Sequence, residues 1–265
     1  MSPRASCPTD PVNTTMAVAT NRGAPVRIAM WSGPRNISTA MMRSFENRGD
    51  CAVVDEPFYA HYLAHTGLDH PGCDEIVARG ETDWRRVADA LTGEVPGAHA
   101  VFYQKHMTHH MLGHIGHEWF DGMQHVFLIR DPREVLVSYL KSRPRATAED
   151  IGVLQQADLY DEITAATGAA PPVIDADEFL RRPEAHLREL CAHLDIAFTP
   201  RMLAWPAGPR DSDGIWAPYW YDAVLKSTGF EPWRERDLGV ADRHRDVIDA
   251  CMPTYRRLRE RRLSV

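Results

Sequence analysis

The stretch Arg27-Ile-Ala-Met-Trp-Ser-Gly-Pro-Arg-Asn-Ile-Ser-Thr-Ala-Met-Met-Arg-Ser-Phe45 reads as a short apolar strand, a Gly-Pro turn carrying one cation, and a helix opened by hydroxyl residues. A second stretch, His125-Val-Phe-Leu-Ile-Arg-Asp-Pro-Arg-Glu-Val-Leu-Val-Ser-Tyr139, repeats the plan. Its apolar strand ends on Arg130, turns through Asp131-Pro132 and enters a helix bearing Ser138. The free N–H groups and positive dipole end of a helix start favour an anion, and Ser38 and Thr39 can cap the first helix or donate to phosphate oxygens. Arg35 adds a fixed charge. Two such turns on one chain point to a nucleotide held at two phosphates.

Working outward, strands are expected at 27–31, 51–54, 99–104, 125–130 and 172–175, and helices near 38–48, 83–91, 133–142, 148–166, 178–193 and 242–260. Strands alternating with helices imply βαβ crossovers and a mainly parallel sheet covered on both faces, an α/β three-layer sandwich. Ligands of such sheets bind at the carboxyl ends of the strands. Both phosphate turns lie there, as do Asp55-Glu56-Pro57-Phe58 after the second strand and Gln104-Lys105-His106 after the third. Residues 1–24 are rich in Pro, Thr, Ala and Asn and read as a disordered leader, with 25–265 as one domain.

The 265 residues are 44% hydrophobic and 25% charged, enough for a sizeable core. A net charge of −7 leaves no footprint for nucleic acid, so a polyanionic ligand must be held by local cations. No apolar run is long enough for a membrane span, and the first 24 residues lack the apolar core of a secretory signal. Five scattered cysteines without CxxC spacing fit reduced thiols, and a cytoplasmic location is expected. The ordinary ATP/GTP loop, GxxxxGK[ST] with a magnesium-binding acid downstream, is absent.

On these motifs the chain resembles the PAPS-dependent sulfotransferase family, whose P-loop-like 5′-phosphosulfate loop runs Pro-(Lys/Arg)-Ser-Gly-(Thr/Ser)-Thr. The matching residues are Pro34, Arg35, Asn36, Ile37, Ser38 and Thr39. The family's 3′-phosphate signature, an arginine at a strand end and a serine eight positions on, matches Arg130 and Ser138. The resemblance spans residues 27–139. It implies a P-loop NTPase-like sulfotransferase fold, 3′-phosphoadenosine 5′-phosphosulfate (PAPS) as co-substrate, no metal, and transfer of a sulfuryl group to a hydroxyl or amine of a small-molecule or saccharide acceptor. Two departures stand out. Asn36-Ile37 replaces Ser-Gly, with Ile37 less suited than glycine to a positive φ, and Ala40 stands where many members carry Trp.

Sulfuryl transfer is a loose in-line displacement, dominated by positioning and by cations that neutralise the leaving phosphate, and it needs a base at the acceptor. Glu56 follows a buried strand among Phe58, Tyr59 and Tyr62, where desolvation would raise its pKa usefully. His106 is the rival base, because cytosolic family members carry a catalytic His shortly after a Lys at the end of this strand. Here Lys105 and His106 are adjacent, whereas the familiar pattern inserts one residue, so strand alternation predicts that they point to opposite faces.

In His106-Met-Thr-His-His-Met-Leu-Gly-His-Ile-Gly-His117 the i,i+4 pairs His106/His110 and His110/His114 suggest a metal, but Gly113 and Gly116 argue against a helix and no acidic ligand accompanies them. An irregular wall of the acceptor pocket is expected instead. The late aromatic stretch Trp216–Trp233 contains Lys226, which occupies the place of a family segment that folds over the nucleotide, or else packs as an amphipathic helix. A divergent P-loop kinase and a nucleotide-binding protein without chemistry are the alternatives.

Overall fold

Five parallel strands form one sheet in the order β2-β3-β1-β4-β5, with β1 at Val26–Ser32, β2 at Cys51–Asp55, β3 at Val101–Met107, β4 at Met123–Ile129 and β5 at Val173–Asp175. The computed structural model describes residues 23–141, 145–239 and 241–265. Most of the expected leader, and the end of the helix expected at 133–142, lie outside the described residues.

Between the strands run α1 (Ser38–Glu46), α2 (Tyr59–Thr66), α3 (Cys73–Arg79), α4 (Trp84–Thr92), α5 (Pro132–Tyr139), α6 (Ala148–Ile151) and α7 (Val153–Thr167). After β5 come α8 (Ala176–Arg181), α9 (Pro183–His193), α10 (Ala217–Trp220), α11 (Asp222–Lys226) and α12 (Arg245–Arg259). The mainly parallel α/β sheet is as expected. Among the described residues no helix is long and apolar enough to cross a membrane.

Alternation along the strands sorts two cores. Ile28 and Met30 of β1 meet Met41, Met42 and Phe45 of α1 and Phe179 and Leu190 of α8 and α9 on one face. Ala29 and Trp31 face α4, α5, α7 and α12 on the other. Each of these fully buried large side chains contributes about 1.5–3 kcal/mol of burial. A third cluster joins Tyr59 and Leu63 of α2, Ile76 of α3, and Trp216 and Tyr221.

Several expected bounds shift, for local reasons. The helix expected at 148–166 is two, broken at Gly152 with φ 80°. The helix expected at 178–193 breaks at Arg182, because Pro183 disfavours a helical residue before it and opens α9 at the first position. The third strand runs to Met107, so Gln104, Lys105 and His106 lie within it rather than after it. Helices α2 and α3 were not expected.

The chain leaves β1 for β2 and β3 on one side and then for β4 and β5 on the other, which opens a crevice at the carboxyl edge around β1.

Candidate active site at the carboxyl edge of the sheet

A cavity of about 840 Å³ opens in that crevice. Its floor is the loop between β1 and α1, with all of Arg35, Asn36, Ile37, Ser38 and Thr39 on the lining. Asn36 Nδ2 donates to the Leu128 carbonyl at 2.9 Å, and Gln156 Nε2 donates to the same oxygen at 2.9 Å, tying the loop to β4 and α7. A Cβ on Gly33 would stand 3.0 Å from the Ile151 carbonyl, a tight contact that glycine avoids where the loop approaches α6.

Arg35 and Ile37 both have positive φ, 61° and 57°. Such backbone costs on the order of 1–3 kcal/mol per non-glycine residue and persists only where the surroundings impose it. Ile37 caps α1 without a side-chain bond, so the first N–H groups of the helix face the cavity uncapped by it. The departure from glycine at Ile37 therefore leaves the left-handed turn intact. Burial lowers the Arg35 pKa, more than the neighbouring Tyr139 raises it.

Arg130 follows β4 and links the two turns: its guanidinium donates to the Arg35 carbonyl at 2.9 Å and to Glu134 at 2.5 Å, with Asp177 3.6 Å from Nε. That buried Nε has no hydrogen-bond partner among the described residues. Ser138 is half-buried on α5 and lies off the cavity lining, whereas the next residue, Tyr139, is on it. Lys226 is exposed and also off the lining. The cation that the late segment brings to the cavity is Arg236, 3.4 Å from Glu134. The pair Arg234 and Arg236 in Trp233-Arg-Glu-Arg236 was the sequence signal for it.

On the opposite wall, β3 pairs with β2 so that Lys105 stands beside Asp55. Lys105 Nζ donates to Asp55 at 2.8 Å, Glu56 at 2.5 Å and the Tyr221 hydroxyl at 2.8 Å, which uses all three ammonium donors. Tyr221 in turn donates to the second Asp55 oxygen at 2.5 Å. Burial alone would lower the Lys105 pKa, but Asp55, Glu56 and Tyr221 outweigh it and hold it well above the usual lysine value.

Glu56, with φ 43°, donates its N–H to the Lys105 carbonyl at 2.9 Å and turns its carboxylate to the cavity. Burial raises its pKa against the opposing pull of Lys105. The cap of α2 is Phe58, so the Glu56 side chain does not serve as one.

His106 lies on the other face, as alternation predicts. It is 1% exposed, stacks on Trp31 with ring centroids 4.4 Å apart, and meets Gln104 Oε1 at 3.1 Å. Burial, helped by His125, lowers its pKa to about 3, and it does not line the cavity.

His110, unlike His106, lines the cavity, as do His70 and His109. After β3 a single turn of 3-10 helix at Thr108–His110 brings His110 between Tyr59 and Tyr62, each 4.7 Å away between ring centroids. Its Nδ1, 4.0 Å from Glu56 Oε2, has no hydrogen-bond partner among the described residues. Burial, then His109, lowers its pKa well below the usual value. The i,i+4 reading of His106, His110 and His114 fails because no α-helix forms there. As expected, the run walls the cavity, through His109, His110, Met111, Leu112 and Gly113.

Residues 26–262 match the family described as the sulfotransferase domain. Two Arabidopsis thaliana proteins, branched-chain-amino-acid aminotransferase-like proteins 2 and 1, are each 39% identical to the chain, over 88% and 89% of its length. The chain spans about two-fifths of their length, 41% and 42%. Among solved structures, the sulfotransferase domain of the Synechococcus PCC 7002 olefin synthase and a sulfotransferase from Alicyclobacillus acidocaldarius each superpose with a TM-score of 0.51 at 14% identity. The superpositions cover 88% and 91% of this chain and 96% and 98% of theirs. At that identity the likeness is one of fold.

Proposed function

The chain belongs to the sulfotransferase domain family, and from that premise we propose that residues 25–265 act as one unit that transfers a sulfuryl group from PAPS to a hydroxyl or amine of a small-molecule or saccharide acceptor. The observation that carries this reading is that the α1 N-terminus with Arg35 and the Glu56–Lys105 pair line one cavity. Its volume of about 840 Å³ falls in the range of about 300–1,000 Å³ usual for ligand sites.

The 5′-phosphosulfate rests on the N–H groups of Ser38 and Thr39, with Arg35 and the two hydroxyls completing the cradle. The 3′-phosphate goes to Arg130, whose orphaned Nε is a donor in need of an acceptor, with Ser138 in support and Arg236 as the entering cation. Arg130 and Ser138 also lie off the lining, but Arg130 donates to the carbonyl of the lining residue Arg35, whereas Lys226 is exposed and is left out of this scheme.

Glu56 is the general base. An acceptor hydroxyl or amine between the Glu56 carboxylate and neutral His110 would lose its proton to Glu56 as its oxygen or nitrogen attacks sulfur in line. The S–O bond to the phosphate breaks, and the leaving phosphate keeps that electron pair while α1 and Arg35 stabilise its charge. Lys105, with all three donors engaged, is a positioning residue that holds Glu56 toward the cavity. His106 supports the wall from the far face of the sheet.

Calorimetric titration with adenosine 3′,5′-bisphosphate, with AMP and with ATP, in the presence and absence of magnesium, tests the donor. Metal-independent preference for the bisphosphate is expected. Equal or tighter binding of ATP with magnesium would return the site to the kinase reading.

A further inference from the structure

Outside this cavity three imidazoles converge. His61 and His65 stand one turn apart on α2, and His114 comes from the loop after β3; one ring nitrogen from each lies within 4.8 Å of the others. His61 Nδ1 meets the Thr82 carbonyl at 2.6 Å and His65 Nδ1 meets the His61 carbonyl at 2.9 Å. A carbonyl only accepts, so both Nδ1 atoms carry the proton and both Nε2 atoms present a lone pair. That outer hydrogen bond to a carbonyl is what orients and strengthens a histidine metal ligand.

The second contact is more telling. His61 Nε2 and His114 Nε2 lie 2.9 Å apart, nitrogen to nitrogen. Metal-free, His114 must carry its proton on Nε2 and donate it to His61. With a cation between the rings, that proton moves to Nδ1 of His114 and both Nε2 lone pairs turn to the ion. Zinc–nitrogen bonds of about 2.0–2.1 Å in a tetrahedron place ligand nitrogens a little over 3 Å apart, so the pair is already near the required spacing.

The backbone is arranged for this contact. A Cβ on Gly80 would stand 2.4 Å from the Ala60 Cβ, so glycine there lets the chain after α3 press on α2 and set the Thr82 carbonyl against His61. His61 is 1% exposed, while His65 and His114 are exposed, which gives a buried anchor with an open side for entry and for water.

We propose that His61, His65 and His114 form a three-imidazole site for a divalent transition-metal ion, Zn²⁺ in the first instance, that clips α2 to the loop walling the cavity. Imidazole selects borderline cations such as zinc over magnesium, and three histidines leave a fourth position for water. The ion lies outside the cavity lining and takes no part in the transfer step. It holds Met111, Leu112 and Gly113, which line the cavity immediately before His114, against a helix that also bears Tyr59 and Tyr62. The site does not depend on the sulfotransferase reading.

The test uses the untagged chain, stripped of metal by a chelator and titrated with Zn²⁺, with Mg²⁺ as control, by calorimetry. One equivalent of Zn²⁺ should bind, Mg²⁺ should not, and Co²⁺ should show the intense visible bands of a four- or five-coordinate nitrogen site. Substituting His65→Ala or His114→Ala, both at exposed positions, should weaken Zn²⁺ by on the order of 100-fold or more, whereas His117→Ala should leave it unchanged. Zn²⁺ should also slow amide exchange over 108–116 in the wild type only. Wild-type affinity retained in both His65→Ala and His114→Ala, or only the weak spectrum of hexa-aqua Co²⁺ with the wild type, overturns the proposal. Neither result bears on nucleotide binding, which is measured separately with adenosine 3′,5′-bisphosphate.

Discussion

Lys105 and His106 are neighbours on β3, each 1% exposed, and the sheet sends them to opposite chemical worlds. Lys105 enters a charged knot in which Asp55, Glu56 and Tyr221 satisfy all three of its donors. His106 enters an aromatic stack of Trp31, Phe58 and Trp119, with one polar partner, and stays neutral. Burial alone assigns neither role. A buried charge survives only when paired, and a buried imidazole without an acid sheds its proton. The proposed base is accordingly the one on the lysine face, where a carboxylate reaches the cavity.

The sharpest way to break this contrast is at Glu56. Glu56→Gln should cut single-turnover sulfuryl transfer by about 10²–10⁴-fold while the affinity for adenosine 3′,5′-bisphosphate holds. Because burial raises the Glu56 pKa, kcat/KM of the wild type should fall on the acid side at a pH above the ordinary carboxylate range, and that limb should vanish in Glu56→Gln. Full activity in Glu56→Gln, with activity lost in His106→Phe, would reverse the assignment.

Lys105→Met comes next. It strands the Asp55 carboxylate in the interior, and urea unfolding should register a loss of about 3–5 kcal/mol. Adding Asp55→Asn should recover part of that loss, the mark of a coupled pair.

The donor side carries the contrast between residues on and off the cavity. Arg35→Ala should weaken adenosine 3′,5′-bisphosphate by about 1.5–3 kcal/mol in calorimetry. Lys226→Ala should leave its affinity unchanged, and a loss there would place the late segment differently over the nucleotide.

The smallest effect is expected on the aromatic face. His106→Phe leaves Gln104 Oε1 without its partner, a cost of about 1–3 kcal/mol at neutral pH, with transfer activity retained. Unfolded, this histidine takes up a proton below about 6.5, while the folded ring stays neutral down to about 3, so it destabilises the wild type as pH falls across that window. The gap between wild type and His106→Phe should therefore narrow as the solution is acidified. A gap constant from neutral pH to pH 4 would mean that the ring is not held neutral.

Much of this was legible in the chain. The strand-turn-helix grammar of 27–45 and 125–139, the parallel sheet and the opposed directions of Lys105 and His106 all follow from local periodicity and turn chemistry. Helices α2 and α3 escaped because Tyr59–Thr66 and Cys73–Arg79 are a few turns at most, too short for a periodic signal to stand out. The break at Gly152 was visible as a glycine, yet the close packing of Pro34 and Gly33 against it, whose atoms a Cβ there would meet at 3.0 and 3.2 Å, is set by segments more than a hundred residues away.

By itself the sequence determined which segments are strands, which turns have the form of a phosphate cradle, and that Glu56 and Lys105 come near the carboxyl ends of the second and third strands, because those properties depend on residues a few positions apart. Only the tertiary structure decided who touches whom across long separations. It set Tyr221 on Asp55 and Lys105, brought Arg236 rather than Lys226 to the cavity, turned His110 rather than His106 toward Glu56, and joined His114 to His61 and His65. Side-chain partners distant in the chain are chosen by packing and by the pairing of buried polar groups, and neither leaves a local pattern to read.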